Sequence, residues 1–163
     1  PLSISYEYDP CDYLKAQEFQ QKRDDATFKK SKADDLKNMQ TGIFGRKGHV
    51  HFQANGCINT ALDALDEAMP KQELFARISA LIDRRIHAGY RMFPNNYVAH
   101  DLLYDEQRFT EHYTAADRQC FLEYLEGQLQ KVELPHKDEP FLREKFLLMY
   151  ANPLTNQLKA LEG

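Results

Sequence analysis

Apolar and polar positions alternate over the first residues of the chain. Leu2, Ile4, Tyr6 and Tyr8 fall on one side and Ser3, Ser5 and Glu7 on the other, up to the turn signal Asp9-Pro10. A period of two predicts a β-strand. Only Gly48–Gln53 reads as a second strand, ended by the Asn55-Gly56 turn. Elsewhere the spacing is helical. Asp12 is placed to cap a helix running to about Arg23. Ser31 and Asp34 form a capping-box pattern that opens a second helix, carrying Leu36 and Met39 inward and ending near Gly42. Residues 71–89 carry Leu74, Ile78, Leu81 and Ile82 as an inward stripe, with Phe75 and Ile86 beside it. A helix over Asn95–Asp105 follows Pro94. Thr114 and Asp117 open another, with Phe121, Leu122, Leu125, Leu129 and Val132 inward. Phe141–Tyr150 is a strongly apolar helix, and Asn152-Pro153 predicts a break before a short last helix over Leu154–Leu161.

The fold class expected is α+β, predominantly helical. Two strands at about 2–8 and 48–54 lead, and a helical bundle follows. Two strands make no independently stable sheet. The expectation is therefore that they belong to a larger sheet whose other strands lie upstream, or that a second copy completes it as a homodimer through an exposed strand edge. A soft boundary at Pro70 divides a sheet-bearing segment, 1–69, from a helical extension, 70–163, the two forming one compact unit.

Composition narrows the class. With 42% hydrophobic and 28% charged residues the chain is an ordinary globular sequence. A formal net charge of −4 argues against a nucleic-acid partner. Cys11, Cys57 and Cys120 are odd in number and widely spaced, so they predict reduced thiols rather than a disulfide framework or a zinc site. Asp9 and Asp12 flank Cys11 and would raise its pKa, against a thiolate nucleophile. No apolar run approaches the ~20 residues that span a bilayer.

Pro1-Leu-Ser-Ile-Ser-Tyr6 resembles the last conserved block of the glycerolipid acyltransferases of lysophosphatidate type, in which a proline and alternating apolar residues form a core strand beside the acceptor site. Gly48–Gln53 resembles the later strand of that family, although Ala54-Asn55-Gly56-Cys57 stands where the family has a Phe-Gly turn and a proline. The resemblance covers about residues 1–60. It implies a C-terminal segment of an acyltransferase of phospholipid biosynthesis, with acyl-CoA or an acyl-carrier protein as donor. It also implies contact with an acyl lipid or a membrane surface, and a cytoplasmic location peripheral to the inner face of the membrane. The family's His-x4-Asp pair, with histidine as base on the acceptor hydroxyl, and its Gly-Thr-Arg phosphate clamp would lie upstream. This segment alone is then expected to be inactive. His112 and Asp117 share the His-x4-Asp spacing, but no strand precedes them and Asp117 serves a helix cap.

The remaining candidates are binding groups. Arg77, Arg84, His87 and Arg91 form one side of the 71–89 helix if it continues past Gly89. Such a stripe suits a phosphate, an anionic head group or a membrane surface, and Pro1 joins them as a substrate-side residue. The competing reading is a solvated face balanced by Glu73 and Asp83. His49 and His51, two apart on a strand, share a face and are the candidate metal ligands, with no neighbouring carboxylate or cysteine in sequence to complete the set. Gly42, Gly45 and Gly48 enclose Arg46 and Lys47, but the segment leads into a strand, so it predicts a tight basic turn rather than a phosphate loop. The aromatics Tyr90, Phe93, Tyr97 and Tyr104 predict core. The rival to the acyltransferase reading is a non-enzymatic helical interaction domain that binds a protein partner or an anionic membrane.

Overall fold

A computed structural model describes residues 1–66 and 68–162; Glu67 and Gly163, which fall in the two expected segments, lie outside the described residues. The protein is a mostly helical α+β fold. Strand β1 (Leu2–Tyr6) leads through a turn to α1 (Asp12–Asp24) and α2 (Lys32–Phe44), and then to β2 (Val50–Ala54). A short α3 (Asn59–Asp63) precedes α4 (Lys71–Ala88), α5 (Pro94–Tyr104), α6 (Ala115–Lys131) and α7 (Glu139–Glu162). A 3₁₀ turn at Thr110–His112 separates α5 from α6.

The two strands pair antiparallel, with Leu2 opposite Ala54, Ile4 opposite Phe52 and Tyr6 opposite Val50. They are shorter than expected because the ladder slips by one residue at Gly48. Glu7 N still donates to His49 O at 2.9 Å, but Tyr8 N reaches back to Lys47 O at 3.0 Å. Gly48 absorbs the slip with φ +64°, a conformation that favours glycine. A side chain there would also meet Glu7 and Tyr8, its Cβ falling 2.3 Å from Glu7 Oε2. The glycine-spaced segment is not one tight turn: Gly42–Phe44 form the last turn of α2, and only Gly45–Gly48 are an irregular connection, with Gly45 packed against Pro10 of the β1–α1 connection.

The core lies among α1, α5, α6 and α7. Phe121, Leu125 and Leu129 of α6 meet Leu142, Phe146 and Tyr150 of α7, with Val98 and Ala99 of α5 and Ala16 of α1 filling the seam. The α6 and α7 positions repeat at i, i+4 and i+8, so one stripe on each suffices. Thr114 caps α6 as expected: its hydroxyl accepts from Asp117 N at 3.1 Å and Asp117 Oδ2 accepts from Thr114 N at 2.8 Å.

Several expectations are corrected. The first helix is not capped by Asp12. Cys11 occupies that position, and Asp12, the first helical residue, is buried. Leu36 and Met39 do not point inward, since α2 has no buried residue and these two are 55% and 63% exposed. Phe75 is exposed as well, and Leu74, Ile78, Leu81 and Ile82 are half-buried. The last two helices are one: α7 runs through Pro153 without a break, held because Tyr150, Ala151 and Leu154 around the proline are buried in the core. In the aromatic group Phe93 is core, Tyr90 and Tyr97 are half-buried and Tyr104 is exposed.

Candidate functional site

The sheet packs by its polar side. Ser3 and Ser5 are buried, whereas Leu2, Ile4 and Tyr6 face out. The reason is local. Ser3 Oγ donates to the Ile86 carbonyl at 2.6 Å and accepts from Asn55 Nδ2 at 2.7 Å. Ser5 Oγ accepts from Arg91 N at 2.9 Å. The two hydroxyls thereby satisfy backbone groups at the end of α4 that a leucine would leave bare. Gly89 caps α4 where a Cβ would lie 2.6 Å from Ser3 Oγ, so the helix end sits directly on the strand.

This clamp fixes one wall of a cavity of about 420 Å³. Ile4 and Tyr6 of β1, Pro10 and Cys11 of the β1–α1 connection, Tyr90, Arg91 and Met92 of the α4–α5 connection, and Met149, Tyr150 and Pro153 of α7 line it. Asn96 ties these walls together, donating from Nδ2 to the Tyr150 carbonyl at 2.9 Å and accepting from Phe93 N at 2.8 Å. The lining is mainly apolar with cations at its margin. Lys15 pairs with Asp9, and Lys47 donates to the Ile43 and Gly45 carbonyls at 3.0 and 3.3 Å. Arg91 has no carboxylate partner among the described residues. It also borders two further cavities, one against His51, Asn55 and Arg85 and one against Glu7 and His49. An apolar cleft with one uncommitted guanidinium fits an amphiphile with an anionic end.

Beneath the cavity lies a buried carboxylate. Asp12 Oδ2 accepts from Tyr124 and Tyr150 hydroxyls at 2.6 and 2.7 Å. Its Oδ1 accepts from Gln128 Nε2 at 2.8 Å and from Tyr13 N at 2.6 Å. Burial pushes the Asp12 carboxyl above its ordinary value, partly offset by these hydrogen bonds. Burial and the neighbouring carboxylate push both phenols far up, so they remain protonated donors. Tyr150 OH further accepts from Asp9 N at 3.1 Å, which joins this network to the mouth of the cavity. Asp12 had been legible only as a helix cap, and nothing local in the sequence signals a partner at Tyr150. Tyr124 and Gln128, four apart on α6, were the one visible clue.

The sequence-derived candidates are scattered. The cationic stripe is broken because α4 ends at Ala88, leaving Arg91 on the α4–α5 connection. Arg77 pairs with Glu73 at 2.8 Å on the surface. Arg84 Nε donates to the Ala160 carbonyl at 3.3 Å, and His87 packs against Tyr90 with ring centroids 5.4 Å apart. Pro1 accepts from Asn55 N at 3.0 Å through its carbonyl and does not line the cavity. Only Arg91 of that set reaches the site. His49 Nδ1 sits 2.8 Å from Glu7 Oε2 and the ring is 82% exposed. His51 is half-buried, and no group of three metal-ligating side chains occurs among the described residues. The Cys11 thiol is pushed up, by burial first and Asp9 second, and donates to the Asn38 carbonyl at 3.4 Å.

Comparisons with protein-family models, curated proteins and solved structures gave no match. Among the described residues, no helix is long and apolar enough to cross a membrane.

Proposed function

We propose that this chain is a sheet-bearing, acceptor-side segment of a glycerolipid-type acyltransferase, which holds an amphiphilic anion while another part of the protein supplies the catalytic histidine. The observation that carries the reading is the reversed sheet. Leu2, Ile4, Tyr6, Val50 and Phe52 are all between 38% and 61% exposed, on a pair of strands too few to be stable by themselves. An apolar sheet face of this kind is normally covered, and strand edges normally paired. Further strands of a core sheet would pair the edges, and an acyl chain or another layer of the protein would cover the face, in keeping with the resemblance of the opening strand to the family's acceptor-side strand.

Ile4 and Tyr6 belong both to that face and to the cavity. An acyl chain would lie along them with its phosphate toward Arg91. In the reaction the family performs, the acceptor hydroxyl oxygen attacks the donor thioester carbon, its proton passes to histidine, and the carbon–sulfur bond breaks. His112 does not supply that base here. Asp117, which would have to orient it, is committed to the α6 cap, and His112 stacks on Tyr97 at a centroid distance of 4.4 Å.

The test is a titration of the isolated chain with lysophosphatidate below its critical micelle concentration, beside an acyl-transfer assay with acyl-CoA. Saturable binding is expected, weakened roughly tenfold or more by Arg91→Ala as a charge-assisted contact is lost, with transfer at background. Turnover by the isolated chain, or no saturable binding, overturns the reading.

A further inference from the structure

α2 is inside out. Its small and polar side, Asn38, Thr41 and Gly42, lies half-buried against the body. Cys11 Sγ donates to the Asn38 carbonyl, and a Cβ on Gly42 would lie 3.6 Å from that sulfur. The opposite side carries Leu36, Met39 and Ile43 at i, i+3 and i+7, with Phe44 at the helix end, exposed by 55%, 63%, 65% and 85%. A full capping box at Ser31 and Asp34 fixes the start of the helix, so the stripe is presented as a formed surface.

We propose that this stripe is a membrane-docking face that seats in the interfacial layer of an anionic bilayer. Charge selects the occupant. Between residues 29 and 47 the chain carries six cations, Lys29, Lys30, Lys32, Lys37, Arg46 and Lys47, against two carboxylates, while the whole chain is at −4. Lys29, Lys32 and Arg46 have no carboxylate partner among the described residues. Lys32 falls in line with the apolar stripe, one turn before Leu36; Asp35, one turn before Met39, borders the stripe, and Asp34 lies on the other side and is tied to Ser31. Phe44 closes the other end of the stripe, and Arg46, two residues on, has its guanidinium over the Tyr8 ring at 4.7 Å. An apolar face with basic residues gathered at its two ends, on a helix about 20 Å long, suits a helix lying in the plane of the interface rather than one that spans it.

The inference stands on α2 and does not need the acyltransferase reading. Co-sedimentation of the chain with vesicles of phosphatidylcholine alone, and of phosphatidylcholine with phosphatidylglycerol, tests it. The chain is expected to partition onto the anionic vesicles at low salt and to leave them at high salt. Met39→Asp with Ile43→Asp should cut that partitioning by at least roughly tenfold, with an unchanged circular dichroism spectrum and melting temperature. Lys29→Ala, Lys32→Ala and Arg46→Ala together should weaken it on anionic vesicles alone. Arg77→Ala, at a surface cation outside both the stripe and the cavity, should leave it unchanged, which separates this face from a general loss of charge. Absence of binding to anionic vesicles, equal binding by the aspartate variant, or light scattering that shows the stripe holding two copies together without any vesicle binding would overturn it.

Discussion

Asp12 accepts four hydrogen bonds from residues of α1, α6 and α7. Each oxygen accepts two of them, and an amide in place of the carboxylate gives up one of those acceptors. Asp12→Asn therefore keeps the shape but loses hydrogen bonds in a closed space. It is expected to destabilise the fold by about 2–3 kcal/mol, read as a shift of the urea midpoint at constant slope. Tyr124→Phe removes one donor and leaves the rest, and about 1 kcal/mol is expected. A carboxylate network with no structural weight would show equal midpoints for both variants and the parent chain. Stability also carries a pH sign. Because burial raises the Asp12 pKa in the folded state, this group favours folding most below its unfolded value and loses that contribution as pH rises through the raised one.

At the scale of elements, the helices stand where the spacing of apolar residues placed them, to within a few residues at their ends. Ser31 and Thr114, with a carboxylate three residues on, marked two starts by a mechanism that acts within one turn. Thr114→Ala should accordingly lower stability by about 1 kcal/mol, with helical content by circular dichroism nearly unchanged below the transition; a melting curve identical to that of the parent chain would contradict the cap. Periodicity located the apolar side of β1 and α2 equally well but said nothing of what covers it. For β1 the answer depends on hydroxyls meeting a carbonyl and a backbone N–H more than 80 residues away in sequence. The break expected at Pro153 failed for the same reason. Local chemistry disfavours proline in a helix, and burial of its neighbours prevailed. Of the site, Arg91 was legible as a cation, though on the wrong scaffold. The Asp12 network joins residues more than 100 positions apart and was hidden in principle from any local pattern.

The whole molecule separates what holds it together from what it presents. Its core is closed by α1, α5, α6 and α7, and two serines tie the sheet to the end of α4 and the connection that leads into α5. Phe52, at 61% exposure, adds little to folding. Ile4→Lys and Phe52→Lys, one on each strand of the same cross-strand pair, are expected to change stability by no more than about 0.5 kcal/mol each. Both should raise the concentration at which the chain stays soluble, measured by light scattering after centrifugation. A large loss of stability would mean that the face is already buried in the isolated chain.

The outward sheet face therefore has a practical consequence for any mutational survey of this chain. A screen that scores survival by heat or protease resistance would rate substitutions at Leu2, Ile4, Tyr6, Val50 and Phe52 as silent, and would class them with tolerant surface sites. Scored instead by association, with a larger sheet or with an acyl lipid, the same five positions would be among the least tolerant. The disagreement between the two maps, position by position, would itself outline the contact that the proposed function requires.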